Sequence, residues 1–170
     1  DDISTELVSQ VLGLVSFKHL KIIAQNIYED KPVEIIKEIN DLLKAGNDPS
    51  VIVTETISFF RNLLIVKNSP SITEDLEVPE SFIKEMQEII NYFSNNEILK
   101  IIDSLDDLID KIKRTTQAQL WLEINFVQLC RFRENLENNN TNSNTQNIDN
   151  TVLNELKNKL AYLENKINEL

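Results

Sequence analysis

Few side chains in this 170-residue chain have the type and spacing to do chemistry. Asp103, Asp106, Asp107 and Asp110 recur at helical steps, which would gather carboxylates able to hold a divalent ion. The interleaved Ile102, Leu105, Leu108 and Ile109 instead mark an amphipathic helix with these acids on its solvated face. One histidine, His19, and one cysteine, Cys130, cannot complete a zinc site of the usual four-ligand kind. His19 falls near the apolar face of a helical segment and reads as a structural or surface residue. Cys130 has no partner thiol for an intramolecular disulfide and, set in an apolar run, reads as a small buried hydrophobe. Two isolated glycines supply no phosphate-cradling loop. Trp121, Phe126 and Phe132 recur at helical spacing and suit packing better than base stacking. The expectation is a chain with no catalytic, cofactor-binding or metal-binding residue.

Charge sharpens this reading. The net charge is −11, but residues 1–110 carry 9 Lys/Arg against 21 Asp/Glu, a net of −12. Residues 111–133 reverse it: Lys111, Lys113, Arg114, Arg131 and Arg133 stand against Glu123 alone, a net of +4. Overall acidity argues against broad nucleic-acid binding, which depends on neutralising phosphates. The reversal leaves one candidate basic patch. Without a secretory leader or an apolar run long enough to span a bilayer, the expectation is a cytoplasmic protein with no membrane contact. The one methionine is Met86, so a chain opening on Asp1 is expected to be a segment of a longer protein.

The elements that would position these residues are helices. Two glycines, four prolines and long 3.6-residue periodicities predict an all-α, compact helical bundle. Ser4 is placed to cap a short helix ending at Gly13. Phe17, Leu20, Ile23, Ala24 and Ile27 line a second helix that runs to Glu29–Asp30. A third carries Val33, Ile36, Ile39 and Leu43 on its apolar face and stops at Gly46. Asp48 then caps, and Pro49 opens, an unusually apolar helix through Val66. A loop over 68–79 leads to a helix with Phe82, Met86, Ile89, Ile90 and Phe93. Ser94 to Glu97 reads as a capping box for the next, with Ile98, Ile101, Ile102, Leu105, Leu108, Ile109 and Ile112. Thr116 and Gln119 are placed to restart a last helix, although a single long helix fits the same text. From Leu120 to Cys130 eight of eleven positions are apolar, nearly all round the helix.

Beyond a bundle at 1–137, the chain changes character. Residues 138–150 hold seven asparagines in thirteen and bury nothing, so a disordered linker is expected. Within 151–170, Leu153, Leu156, Leu160, Leu163, Ile167 and Leu170 alternate in steps of three and four, the seam of a short coiled-coil helix. About two and a half heptads are marginal alone, so this helix is expected to form against a coiled-coil partner.

Three stretches together resemble a known family. ISTELVSQVLGLV (Ile3–Val15) is similar to the entry of the third domain of the bacterial DNA polymerase III gamma/tau subunit. Gly46, Asp48, Pro49, Arg61, Leu63, Leu64 and Lys67 match that family's glycine–aspartate–proline turn and the helix after it. Thr116, Leu120, Leu122 and Glu123 match its last helix, with Ala118 and Gln119 where proline and arginine are common. The resemblance spans about residues 2–133. It implies the helical collar of the clamp loader, an oligomerisation domain joining ATPase subunits into a ring that loads the sliding clamp in DNA replication. It also implies that ATP and Mg belong to an ATPase domain upstream and that this fragment needs no cofactor. Implied partners are other clamp-loader subunits: gamma/tau copies and delta and delta-prime types. Leu120, Trp121, Ile124, Phe126 and Val127 are then candidates for core and subunit interface together. The alternative is an unrelated helical adaptor acting through its C-terminal coiled coil.

Overall fold

The computed structural model describes residues 15–69 and 78–132. Among them lie six helices and no strand: α1 (Phe17–Tyr28), α2 (Pro32–Lys44), α3 (Pro49–Asn68), α4 (Glu80–Ile89), α5 (Asn95–Arg114) and α6 (Ala118–Cys130). Contacts divide the chain into Asp1–Arg131 and Phe132–Leu170, and all six helices belong to the first unit. The helix expected before Gly13, the linker and the heptad fall outside the described residues.

Local chemistry explains most of the helix ends. At α3, Asp48 caps through Oδ1, which accepts from Ser50 N–H at 2.7 Å, and Pro49 occupies the first turn. At α5, Ser94 Oγ accepts from Glu97 N–H at 3.2 Å, while Glu97 Oε2 accepts from Ser94 N–H at 2.7 Å. The expected capping box is therefore complete. α2 ends on Gly46 at φ 95°, with Gly46 N–H donating to Leu43 and Asn47 N–H to Leu42. This is the paired 5→2 and 6→1 pattern that satisfies a helix's last carbonyls. α1 ends in the same pattern on Ile27 and Asn26, but with Asp30 at φ 49° in the left-handed position.

α3, α5 and α6 form the centre. Phe60, Leu63, Phe93, Ile98, Leu105, Leu108, Leu122 and Phe126 are buried there. Phe60 meets Phe93 edge-on at 5.5 Å, one of the tilted arrangements aromatic pairs favour. α3 is long and apolar enough to cross a membrane, but Ile52, Val53, Thr56, Phe59, Phe60, Leu63 and Val66 bury one side of it in this core. Thr56 enters without penalty because its hydroxyl donates to the Ile52 carbonyl at 2.7 Å. Around the centre, α1 is fastened to α4. Phe17 stacks on Phe82 at 4.3 Å, and Lys21 donates to Glu88 at 2.8 Å and Glu85 at 3.2 Å. The Glu88 hydrogen bond, with Glu85 adding to it against partial burial, raises the Lys21 pKa.

Two expectations are corrected. On α2 the core takes Ile35, Ile39 and Leu42, whereas Val33 is 73% exposed and Ile36 and Leu43 are half-buried. The helix carries two overlapping apolar stripes, and the core accepts the one that the Val33 series missed. The last helix is separate from α5, but Thr116 and Gln119 form no capping box: α6 has no side-chain cap. The break is made at Thr115, whose backbone is extended and whose Oγ1 accepts from Gln117 N–H at 3.1 Å. Gln119 is engaged elsewhere.

Candidate subunit interface

α6 packs against α1, α2, α3 and α5, four of the other five helices. That position accounts for its apolar sequence. Leu122, Phe126, Leu129 and Cys130 are buried, as is Asn125. Asn125 Nδ2 donates to Ser104 Oγ at 3.1 Å and to the Ser104 carbonyl at 3.3 Å, bonding α6 to α5, while its Oδ1 is buried with no protein partner. Cys130 is 1% exposed, and burial pushes its thiol pKa up to about 12, which leaves an unreactive S–H facing the Asn26 carbonyl at 3.6 Å.

The five candidate interface residues divide. Phe126 is fully buried and belongs to the core. Leu120, Ile124 and Val127 are half-buried and follow one another at steps of four and three, with Arg131 continuing the row. This row lies on the side of α6 opposite Leu122 and Phe126. Trp121 flanks it, half-buried against the core, with Lys111 Nζ 5.4 Å from its ring centroid. Gln119 Nε2 donates to Asn40 Oδ1 on α2 at 2.9 Å and to Glu123 Oε1 at 3.0 Å, setting α2 beside this face. Seventy-nine residues separate Gln119 from Asn40, and nothing in the sequence marks the pair.

The basic residues divide as well. Lys111, Lys113 and Arg114 are exposed in the last turn of α5, where the helix dipole favours cations. Arg131 follows the far end of α6, about 20 Å away for a helix of this length. The fold therefore does not join it to the other three, and Arg133 is outside the described residues. His19 Nδ1 faces Glu38 Oε1 and ties α1 to α2, a structural place. Asp103, Asp106, Asp107 and Asp110 are all exposed. No cluster of metal-ligating side chains occurs among the described residues.

A family model described as DNA polymerase III subunits gamma and tau domain III matches residues 3–161. The chain belongs to this family. The matched residues run past residue 133, through the asparagine-rich segment, and include Leu153, Leu156 and Leu160. The DNA polymerase III subunit tau of Bacillus subtilis (strain 168) is 23% identical over 134 residues. That match covers 77% of this chain and 23% of the relative, so the chain spans under a quarter of that protein's length. The family motif residues in this domain III are largely makers of its fold. Gly46, Asp48 and Pro49 turn α2 into α3, and Leu63 fills the core. Lys67 Nζ donates to the Ile90 carbonyl at 2.8 Å, satisfying a group at the end of α4.

Proposed function

We propose that this domain III is a non-catalytic oligomerisation domain of a DNA polymerase III clamp-loader subunit, a helical collar that holds ATPase subunits in the ring that loads the sliding clamp. The observation that supports this reading is the outward row Leu120, Ile124 and Val127 on α6. The fully buried Leu122 and Phe126 lie on the opposite side of that helix, and a half-buried apolar row is a surface that another subunit would cover. Its partners would be other gamma/tau copies and subunits of delta and delta-prime type, in the cytoplasm, with direct nucleic-acid contact minor. ATP and magnesium would be the business of an upstream ATPase domain. The heptad seam from Leu153 to Leu170 would engage a separate coiled-coil partner.

The test replaces Ile124 and Val127 together by Asp in the full chain. Far-UV circular dichroism is expected to remain native, because neither side chain is in the core, while co-elution with clamp-loader subunits is lost. Wild-type co-elution of a folded variant would refute the reading. Truncation after Glu137 addresses the adaptor alternative: a collar keeps its clamp-loader partners, whereas an adaptor working through the heptad loses binding.

A further inference from the structure

The surface of α5 suggests what the neighbouring subunit presents, on the reading that this domain oligomerises. Leu99, Asp103, Asp106 and Asp110 fall at steps of four, three and four, so they form one ridge, with Asp107 beside it. All five are exposed, Leu99 by 48%. The same helix ends in Lys111, Lys113 and Arg114, next to the start of the apolar row at Leu120. Among the described residues no ion pair joins these acids to these bases. Lys111, one turn beyond Asp107, turns instead to the Trp121 ring. The helix therefore carries an acidic ridge begun by an exposed leucine and a basic tip adjoining an apolar row, each without its complement.

We propose that the basic tip of one copy docks on the acidic ridge of a second copy, with Leu99 of the second meeting the apolar residues at the start of α6. Each subunit then offers two different surfaces, the arrangement that builds rings rather than closed two-fold pairs. Opposite charges select the register, while like charges hold tip from tip and ridge from ridge. The contact is salt-sensitive because both charge sets are exposed.

Charge exchange tests it, with the full 170-residue chain followed by sedimentation velocity at low and high salt. One variant carries Lys111→Glu, Lys113→Glu and Arg114→Glu; the other carries Asp103→Lys, Asp106→Lys, Asp107→Lys and Asp110→Lys. Each alone is expected to self-associate more weakly by about tenfold or more. An equimolar mixture is expected to regain association, since every junction between unlike variants is complementary again. Circular dichroism checks the fold, and a neutral Lys111→Gln, Lys113→Gln, Arg114→Gln variant, gentler on the helix end, is expected to lose part of the association. A monomeric wild type at low salt, undiminished association of either charged variant, or a mixture as weak as its parts overturns the proposal. So does binding of single-stranded DNA by the wild type that the tip variant loses, which would assign the tip to nucleic acid. Loss of assembly in the Ile124/Val127 variant with charged variants unaffected would sink this inference and leave the oligomerisation reading standing.

Discussion

α5 and α6 are neighbours in one hairpin, yet they obey different rules. Three residues join them, and the contacts Ser104–Asn125 and Lys111–Trp121 show them running antiparallel. α5 is amphipathic in the ordinary way: one apolar stripe inward, charges outward, a capping box at its start and cations at its end. α6 has no side-chain cap and no single polar face, because it packs against four helices and still turns an apolar row outward. A helix with one solvated face is held by its ends and one stripe. A helix packed on most sides is held by its neighbours.

The largest test of that contrast lies within α6. Phe126 is wholly buried and Ile124 is not, although the two stand two positions apart in an apolar run. Phe126→Ala is expected to cost about 3–5 kcal/mol in denaturant unfolding, the range for emptying a large aromatic site in a close-packed core. Ile124→Ala is expected to stay within about 1 kcal/mol, since its outer side already meets solvent. Equal losses at the two positions would mean that the outward row is core, and the distinction between the faces of α6 would fail.

The helix starts supply the next test. Ser94→Ala removes a made cap from α5 and is expected to cost about 1 kcal/mol. Thr116→Ala is expected to change stability by less than about 0.5 kcal/mol, because Thr116 is exposed and Thr115 makes the turn. A cost at Thr116 comparable to that at Ser94 would restore the second capping box and make the two helices alike in how they begin.

What could be read beforehand follows the same division. Caps, stops and single stripes depend on residues within one turn, so the Ser94–Glu97 box, the Asp48–Pro49 start and the Gly46 stop are legible in the text. The inner face of α2 is not, because Val33, Ile36 and Leu43 compete with Ile35, Ile39 and Leu42, and only the neighbouring helices choose between the stripes. The end of α1 at Glu29–Asp30 is legible as a place but not in its form: Asp30 takes the left-handed position that Gly46 takes at α2, and the same two backbone bonds close both ends. The five interface candidates could be named together because the run is apolar all round, but assigning Phe126 inward and Leu120, Ile124 and Val127 outward needs the packing of α1, α2, α3 and α5. Grouping Lys111, Lys113, Arg114 and Arg131 by sequence joins charges that an intervening helix holds apart.

The smallest effect concerns the far end of α6. Burial raises the Cys130 pKa to about 12, so the folded chain keeps this thiol protonated where an unfolded chain ionises it. A raised acid pKa favours the folded state below the unfolded value and loses that advantage as pH climbs from the unfolded pKa toward the folded one. For a thiol the window opens near pH 8.5, and at about pH 10 the loss amounts to roughly 1–2 kcal/mol. Other groups titrate there too, so the measurement is a difference: wild type against Cys130→Ala, unfolded in denaturant from neutral to alkaline pH. Wild type is expected to be the more stable at neutral pH, because the alanine leaves a void, and its lead is expected to shrink by that amount toward about pH 10. A lead that does not change with pH would mean that the thiol titrates alike in both states. The end of α6 would then be open to water, and packing on most sides would stop short of Cys130, leaving only the stretch from Leu122 to Leu129 held by its neighbours.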